Sequence, residues 1–228
     1  MRSILMNGVG LVASIIFVLG TIAIATRLRR MQALTVSTAR KAIHIVLSHW
    51  WLIALILFDD PWVASVGPAA SLAAASFLPC SRLVPTDEKA ARTRDRGTIC
   101  YSAALLILVN LAWRGLISER AAVVGVFVMG WGDGLAGLVG ARFGRAGIYI
   151  WGRRKTIQGT TAMFLVSLAV TLLIILVMGS GAASLPTVAN MSFSIAVVAT
   201  TLEVFTPLGL DNLTIPLGTA AFIAGAFG

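Results

Sequence analysis

Long apolar runs and short polar breaks alternate along the whole chain, and the runs have the length of membrane spans. The first covers about residues 4–25 and stops at Arg27-Leu28-Arg29-Arg30. A second begins after Arg40-Lys41 and ends at Phe58, where Asp59-Asp60-Pro61 follows; proline disfavours helix in the residue before it. The third, about 62–78, is short and rich in Gly and Ala. Small faces let helices approach closely in lipid, so this helix is expected in the interior of the bundle. A polar loop over 79–97 leads to a fourth span at about 98–113. The fifth, about 121–141, contains Asp133; the sixth, about 156–178, is the most lipid-like; the seventh covers about 187–206, and a short eighth follows Pro216.

About 20 apolar residues span a bilayer as helix, and several of these runs approach or exceed that length. The pattern predicts an all-α, polytopic integral membrane helix bundle with about seven or eight transmembrane helices, forming a single domain over residues 1–228. No internal repeat or soluble domain interrupts it. The first run lacks a persuasive small-residue cleavage site and reads as a membrane helix within about residues 1–30, not as a removed signal peptide.

Composition agrees. The chain is 58% hydrophobic and 12% charged, with a mean hydropathy of +0.92. Ordinary soluble domains hold about 45–50% apolar residues, so that class is excluded. The net charge of +9 does not imply nucleic acid, because the basic residues sit in short clusters between apolar spans. Fifteen of the eighteen fall in alternate loops: Arg27, Arg29, Arg30, Arg40 and Lys41; Arg82, Lys89, Arg92, Arg94 and Arg96; Arg142, Arg145, Arg153, Arg154 and Lys155. Only Arg2, Arg114 and Arg120 belong to the other side. The positive-inside rule makes the rich side cytoplasmic and puts the N-terminus outside. A prokaryotic cell membrane is the expected location. Cys80 and Cys100 lack the partners and spacing of a metal site and read as small buried hydrophobes.

One carboxylate stands out. Asp133 lies within an apolar span, among seven glycines between Gly130 and Gly147. An acid at a helix centre costs about 2.5–3.5 kcal/mol on insertion scales and is rarely kept without a task. If the fifth span stays helical, Asp133, Gly137, Gly140 and Gly144 recur at steps of four, three and four and share one face, a groove without side chains. Close helix packing also explains the glycines, but not the acid. As a hard oxygen ligand, Asp133 suits Mg²⁺. Arg153-Arg154-Lys155-Thr156 is expected to open the sixth helix, and a helix N-terminus favours phosphate. Arg40 and Lys41 share a helix face with His44, a placement suited to binding phosphate or moving a proton. Ser48 continues that face, whereas His49 beside Trp50 and Trp51 reads as interfacial. Glu203 closes the seventh span, and Asp211-Asn212 stands in a Pro/Gly-punctuated turn. These acids suit the second half of a metal or alcohol site, although Asp211 is equally suited to capping a helix.

The ordered set Arg-Lys…His, Gly-Asp-Gly…Phe-Gly, Lys-Thr-x-x-Gly and Glu…Asp-Asn-Leu-Thr-Ile-Pro-Leu, over about residues 40–217, resembles the CTP-dependent membrane lipid alcohol kinases. These act on dolichol, polyprenol, phytol or diacylglycerol and are distantly similar to phosphatidate cytidylyltransferases. The resemblance implies transfer of the CTP γ-phosphate to a hydrophobic alcohol with Mg²⁺ or another divalent metal. It further implies catalytic roles for Asp133, Lys155, His44, Glu203 and Asp211, with Asp133, Glu203 and Asp211 as metal ligands. Nucleotide binding would fall to Arg40, Lys41, Gly134, Gly137, Gly140, Arg142, Gly144, Arg153, Arg154, Thr156, Gly159 and Asn212. Members usually carry Glu where this chain has Gln158, which cannot ionise. Three rival readings share some of these features: a CTP-using diacylglycerol kinase, a cytidylyltransferase that leaves a CDP-lipid, and a transporter, which would also keep intramembrane acids. A transporter often shows a repeated half, and none is visible here.

Overall fold

The structure, a computed structural model, describes residues 2–33, 35–77, 88–151, 153–179, 184–207 and 209–227. Its order is α1 (Arg2–Arg30), α2 (Val36–Ser48), α3 (Trp50–Leu57), α4 (Pro61–Phe77), α5 (Glu88–Trp113) and α6 (Glu119–Phe127). A π-helical segment (Val128–Asp133) continues α6 into α7 (Gly134–Phe143). The strands β1 (Gly147–Ile150) and β2 (Arg153–Thr156) follow, then α8 (Ile157–Met178), α9 (Leu185–Phe205) and α10 (Asp211–Phe227). Side-chain oxygens of Thr35, Ser118, Thr156 and Ser184 accept main-chain N–H groups at the starts of α2, α6, α8 and α9. These otherwise orphaned donors explain why a hydroxyl residue opens each helix.

Six helices among the described residues are long and apolar enough to cross a membrane: Ser3–Arg30, Thr38–Leu57, Arg96–Trp113, Glu119–Phe143, Ile157–Met178 and Leu185–Phe205. The polytopic helical bundle expected from the sequence is therefore present. The expected third and eighth spans correspond to α4 and α10, each of 17 residues. At 1.5 Å per residue such a helix is about 26 Å long, short of the ~30 Å hydrocarbon core.

The bundle is organised around α6 and its π extension. From Ala121 to Met129 every residue except Phe127 is buried. Glycine makes the close approaches possible: a Cβ on Gly125 would lie 2.4 Å from the carbonyl oxygen of Pro216 in α10, and one on Gly130 would lie 2.5 Å from the Ser48 side chain in α2. Around this centre α1 is peripheral, with Ile4, Leu5, Ile16 and Leu19 all exposed as lipid-facing side chains are. Indole and amide donors tie the outer helices inward. Trp50 Nε1 donates to Ser14 Oγ at 2.9 Å, Trp113 Nε1 to the Phe58 carbonyl at 2.9 Å, and Asn110 Nδ2 to Ser65 Oγ at 3.0 Å.

Four expectations are corrected. The small-residue helix α4 is peripheral, with only Ala64 and Pro68 buried: it packs mainly on α5 and more lightly on α1, while Ala69, Ala70, Ala73 and Ala74 look outward. The last helix begins at Asp211 and carries Pro216 inside it, where the expected start lay after that proline. The basic segment does not open α8. It forms β2 and pairs antiparallel with β1, Ile148 opposite Lys155 and Tyr149 opposite Arg154. Cys80 and residues 79–87 of the expected loop lie outside the described residues, while 88–97, also expected as loop, are already helical as the first turns of α5; Cys100 is buried, as expected of a small hydrophobe.

Gly125→Ala is expected to lower stability by about 1–3 kcal/mol, since the added methyl meets main chain that cannot rotate away. A fall of several degrees in the melting temperature of the detergent-solubilised protein would show it.

Candidate active site

The basic start of α2, the end of the π segment and the start of α10 meet around a cleft. From α2 come Arg40, Lys41 and His44; from the end of the π segment, Asp133; from the turn before α10 and its first residues, Gly209, Asp211 and Asn212. Gly97 of α5 completes the wall. Segments separated by more than a hundred residues thus face one another.

Local structure explains each placement. A π turn is wider than an α turn and is frequently found at functional sites. Here it ends on Asp133, flanked by Gly132 and Gly134, whose missing side chains leave room for Met163 and Ser167 of α8 and Ile45 of α2. His44 stacks on the buried ring of Tyr101 at 5.1 Å between centroids, and its charge neighbours are Asp133, Arg40 and Lys41. Gly209 has φ +79°, a left-handed conformation that turns the chain into α10. Asp211 and Asn212, only 5% and 8% exposed, follow it. Asn212 Nδ2 donates to the Gly97 carbonyl at 2.8 Å and so fixes the start of α10 to α5.

Lys155 and Glu203 form a second, adjoining group. The Lys155 ammonium binds the Glu203 carboxylate and also donates to the Glu203 carbonyl at 2.7 Å. Both side chains are about nine-tenths buried, at 11% and 8% exposure. The remaining carboxylate oxygen, Oε2, is buried without a hydrogen-bond partner. Asp133 and Asp211 are close enough to act electrostatically on Glu203. Three acids therefore share one region, with Lys155, Arg40 and Lys41 as its cations. A second tie, from Trp151 Nε1 to the Phe205 carbonyl at 3.0 Å, fastens the β hairpin to the end of α9.

The glycine groove is present but filled. A Cβ on Gly137 would fall 0.9 Å from Lys41 Nζ, so this glycine seats the lysine ammonium. Gly140, Gly144, Thr156 and Gly159 interlock where α7 crosses the start of α8. A Cβ on Gly140 would meet Thr156 Oγ1 at 2.9 Å, and one on Gly159 the Ala136 carbonyl at 2.9 Å. Thr156 Oγ1 also accepts from the Gly159 N–H at 3.1 Å. These contacts are helix packing, the alternative the sequence left open. Arg142 and Arg154 are exposed and do not line the cleft, and the Arg154 guanidinium donates to the Arg145 carbonyl at 2.8 Å. Arg153 lies on β2. Gln158 Oε1 accepts the Arg145 N–H at 3.2 Å, a contact that needs an acceptor and not a charge.

Sequence reasoning missed Gly97, Gly209 and Tyr101. Gly209 carried a faint signal in its proline-flanked turn; nothing local marked Gly97 or Tyr101, which matter only through residues distant in sequence.

A membrane helix bundle with acids and Arg and Lys side chains gathered around one cleft is the architecture expected of an enzyme that works at the lipid surface. Similarity to known proteins narrows the class. The chain is 35% identical over 199 residues to a phytol kinase of Synechocystis sp., covering 86% of this chain and 82% of that one. It is 27% identical over 203 residues to a "Probable phytol kinase, chloroplastic" of Triticum aestivum, covering 80% and 65% of the two chains. A "Probable phytol kinase 1, chloroplastic" of Glycine max matches at 29% over 220 residues, 85% and 68%. No family profile and no solved structure matches. The chain belongs to the phytol kinase family.

Two substitutions separate the roles of these residues. Gly137→Ala is expected to unseat Lys41 and weaken anion binding at the cleft, read as a rise in the nucleotide KM of at least several-fold. Gln158→Glu preserves an acceptor for the Arg145 N–H and is expected to leave melting temperature and activity near wild type.

Proposed function

We propose that this protein is a lipid alcohol kinase that moves the γ-phosphate of CTP to the hydroxyl of a phytol- or polyprenol-like alcohol at the cytoplasmic face. The observation that carries the reading is the convergence of Arg40, Lys41, His44, Asp133, Asp211 and Asn212 on one cleft, in a chain of the phytol kinase family.

The donor set suits a hard divalent cation. Asp133 and Asp211 both face the cleft, and Glu203 holds an unsatisfied buried oxygen beside them. No ready-made group of three ligands exists among the described residues. Mg²⁺ usually takes one or two carboxylates and completes its shell with water and substrate phosphates, and Asp133 and Asp211 are the two carboxylates that line the cleft. When bound by Asp133 and Asp211, the ion would neutralise the phosphate charge.

The chain's own groups then divide the work. Arg40 and Lys41 hold phosphate oxygens and stabilise the charge that spreads over them during transfer. Asn212 keeps Asp211 in register with the cleft through its bond to Gly97. Lys155 neutralises Glu203, so the two acids that face the cleft do not have a bare third carboxylate behind them. The lipid hydroxyl enters sideways between helices and its oxygen attacks the γ-phosphorus. The new O–P bond forms as the bond to the β-phosphate oxygen breaks, CDP leaves, and the proton passes to His44. Positioning supplies most of the rate, since phosphoryl transfer asks little covalent chemistry of the protein.

The test is purified protein with phytol, farnesol-like alcohols, longer polyprenols and diacylglycerol, given γ-labelled CTP or ATP. Label in the lipid supports a kinase. Label in pyrophosphate with a CDP-lipid product would instead make the protein a cytidylyltransferase, and no nucleotide turnover would favour a transporter. Asp133→Asn is expected to lower phosphorylation at least 100-fold, on the scale of losing an electrostatic stabiliser, while expression and membrane insertion stay intact; full activity in that variant would remove Asp133 from the mechanism.

A further inference from the structure

His49 stands outside the cleft, yet its surroundings are unusual for a membrane histidine. It occupies the break between α2 and α3, five residues beyond His44, which is about 7.5 Å further along the helix axis. Its ring packs edge-on against Phe127 at 5.1 Å and Trp131 at 5.8 Å between centroids. Trp131 is two residues from Asp133 in the same π segment. All three rings are half-buried, and they lie within the spans Thr38–Leu57 and Glu119–Phe143, each long and apolar enough to cross a membrane.

The hydrogen bonding places a proton on Nδ1. Nδ1 lies 3.0 Å from the Ile45 carbonyl and 3.3 Å from that of Val46. Both partners only accept, so Nδ1 is the donor, which leaves Nε2 as the ring position open to a hydroxyl ligand, its lone pair available whenever the ring carries one proton. No described residue donates to Nε2. An unmet acceptor framed by aromatic rings in an apolar medium suits a ligand that is apolar along its length and ends in one hydroxyl donor. Water is scarce there, charged groups are excluded by desolvation, and a plain hydrocarbon leaves the lone pair unsatisfied.

We infer that His49, Phe127 and Trp131 form a docking site for a lipid alcohol, with the alcohol O–H donating to His49 Nε2 and the adjoining chain lying on the two rings. The alcohol's identity as substrate rests on the kinase reading, but the site itself does not. Its position next to Asp133 makes it a station from which the hydroxyl reaches the cleft by a short shift along the helices. His49 selects the hydroxyl and positions the chain; it does not touch the reacting phosphate.

The experiment is photo-crosslinking of the nanodisc-embedded protein with a diazirine-bearing C20 prenyl alcohol, without nucleotide, in competition with phytol or its methyl ether. Phytol is expected to displace the probe at about 3–10-fold lower concentration than the ether, the scale of one neutral hydrogen bond. His49→Phe should erase that difference at unchanged melting temperature, and His49→Gln, which keeps an acceptor, should restore part of it. In turnover, His49→Phe should raise the alcohol KM with little change in kcat or nucleotide KM. Labelled peptides should come from 44–57 and 119–137. A wild-type protein that binds alcohol and ether equally, an unaltered preference in His49→Phe, or labelling confined to other helices would overturn the site. Because no nucleotide is present, these outcomes stand apart from any failure of the kinase assay.

Discussion

Ionised groups drawn below the membrane surface must answer one another, and that constraint shapes this protein. A lone charge in an apolar medium costs several kcal/mol, so each acid here has a cation or a donor within reach. Lys155 is bound twice by Glu203, through carboxylate and carbonyl. Asp133 sits among Arg40, Lys41 and His44. Because these partners come from α2, β2, α9 and the π segment, satisfying the charges also fixes how four distant stretches of chain meet. Electrostatics and fold are the same problem around this cleft.

Glycine and the hairpin are the means by which the chain meets it. Lys41 reaches its place only because Gly137 has no side chain, and α7 approaches α8 only because Gly140 and Gly159 have none. The hairpin turns the chain between two spans while its second strand delivers Lys155 to Glu203 and its tip residue Trp151 bonds the end of α9. Gln158 and Arg154 clamp the Arg145 main chain from both sides, N–H and carbonyl, and so steady the turn that leads into the hairpin. Most of the glycines and basic residues nearest the acid thus build the support of the cleft, whereas fewer residues line it.

The functional reading draws on two independent supports. Kinship with phytol kinases gives the family, and the geometry gathers cations, acids and an amide on one cleft without reference to any relative. The membrane spans then supply what a soluble kinase lacks, an apolar flank through which a lipid alcohol can approach. The aromatic alcove around His49 is the part of that flank where an apolar surface and a hydrogen-bond acceptor coincide.

Sequence alone determined the membrane class, the spans to within a few residues, and the clustering of basic residues in alternate breaks between spans. Each of these depends on local hydrophobicity and charge, which are read residue by residue. It also singled out Asp133, because an acid inside an apolar run is conspicuous whatever surrounds it. It misjudged α4 as interior, and it left the glycines of α7 undecided between groove and packing. Lipid is as apolar as a protein core, so a helix in this setting looks alike on its buried and its lipid-facing sides, and no periodicity tells which neighbour it meets. That Lys41 lies on Gly137, that Lys155 pairs with Glu203, and that Asn212 holds Gly97 across the bundle were decided only by tertiary structure, since each depends on two segments meeting that the linear order keeps far apart.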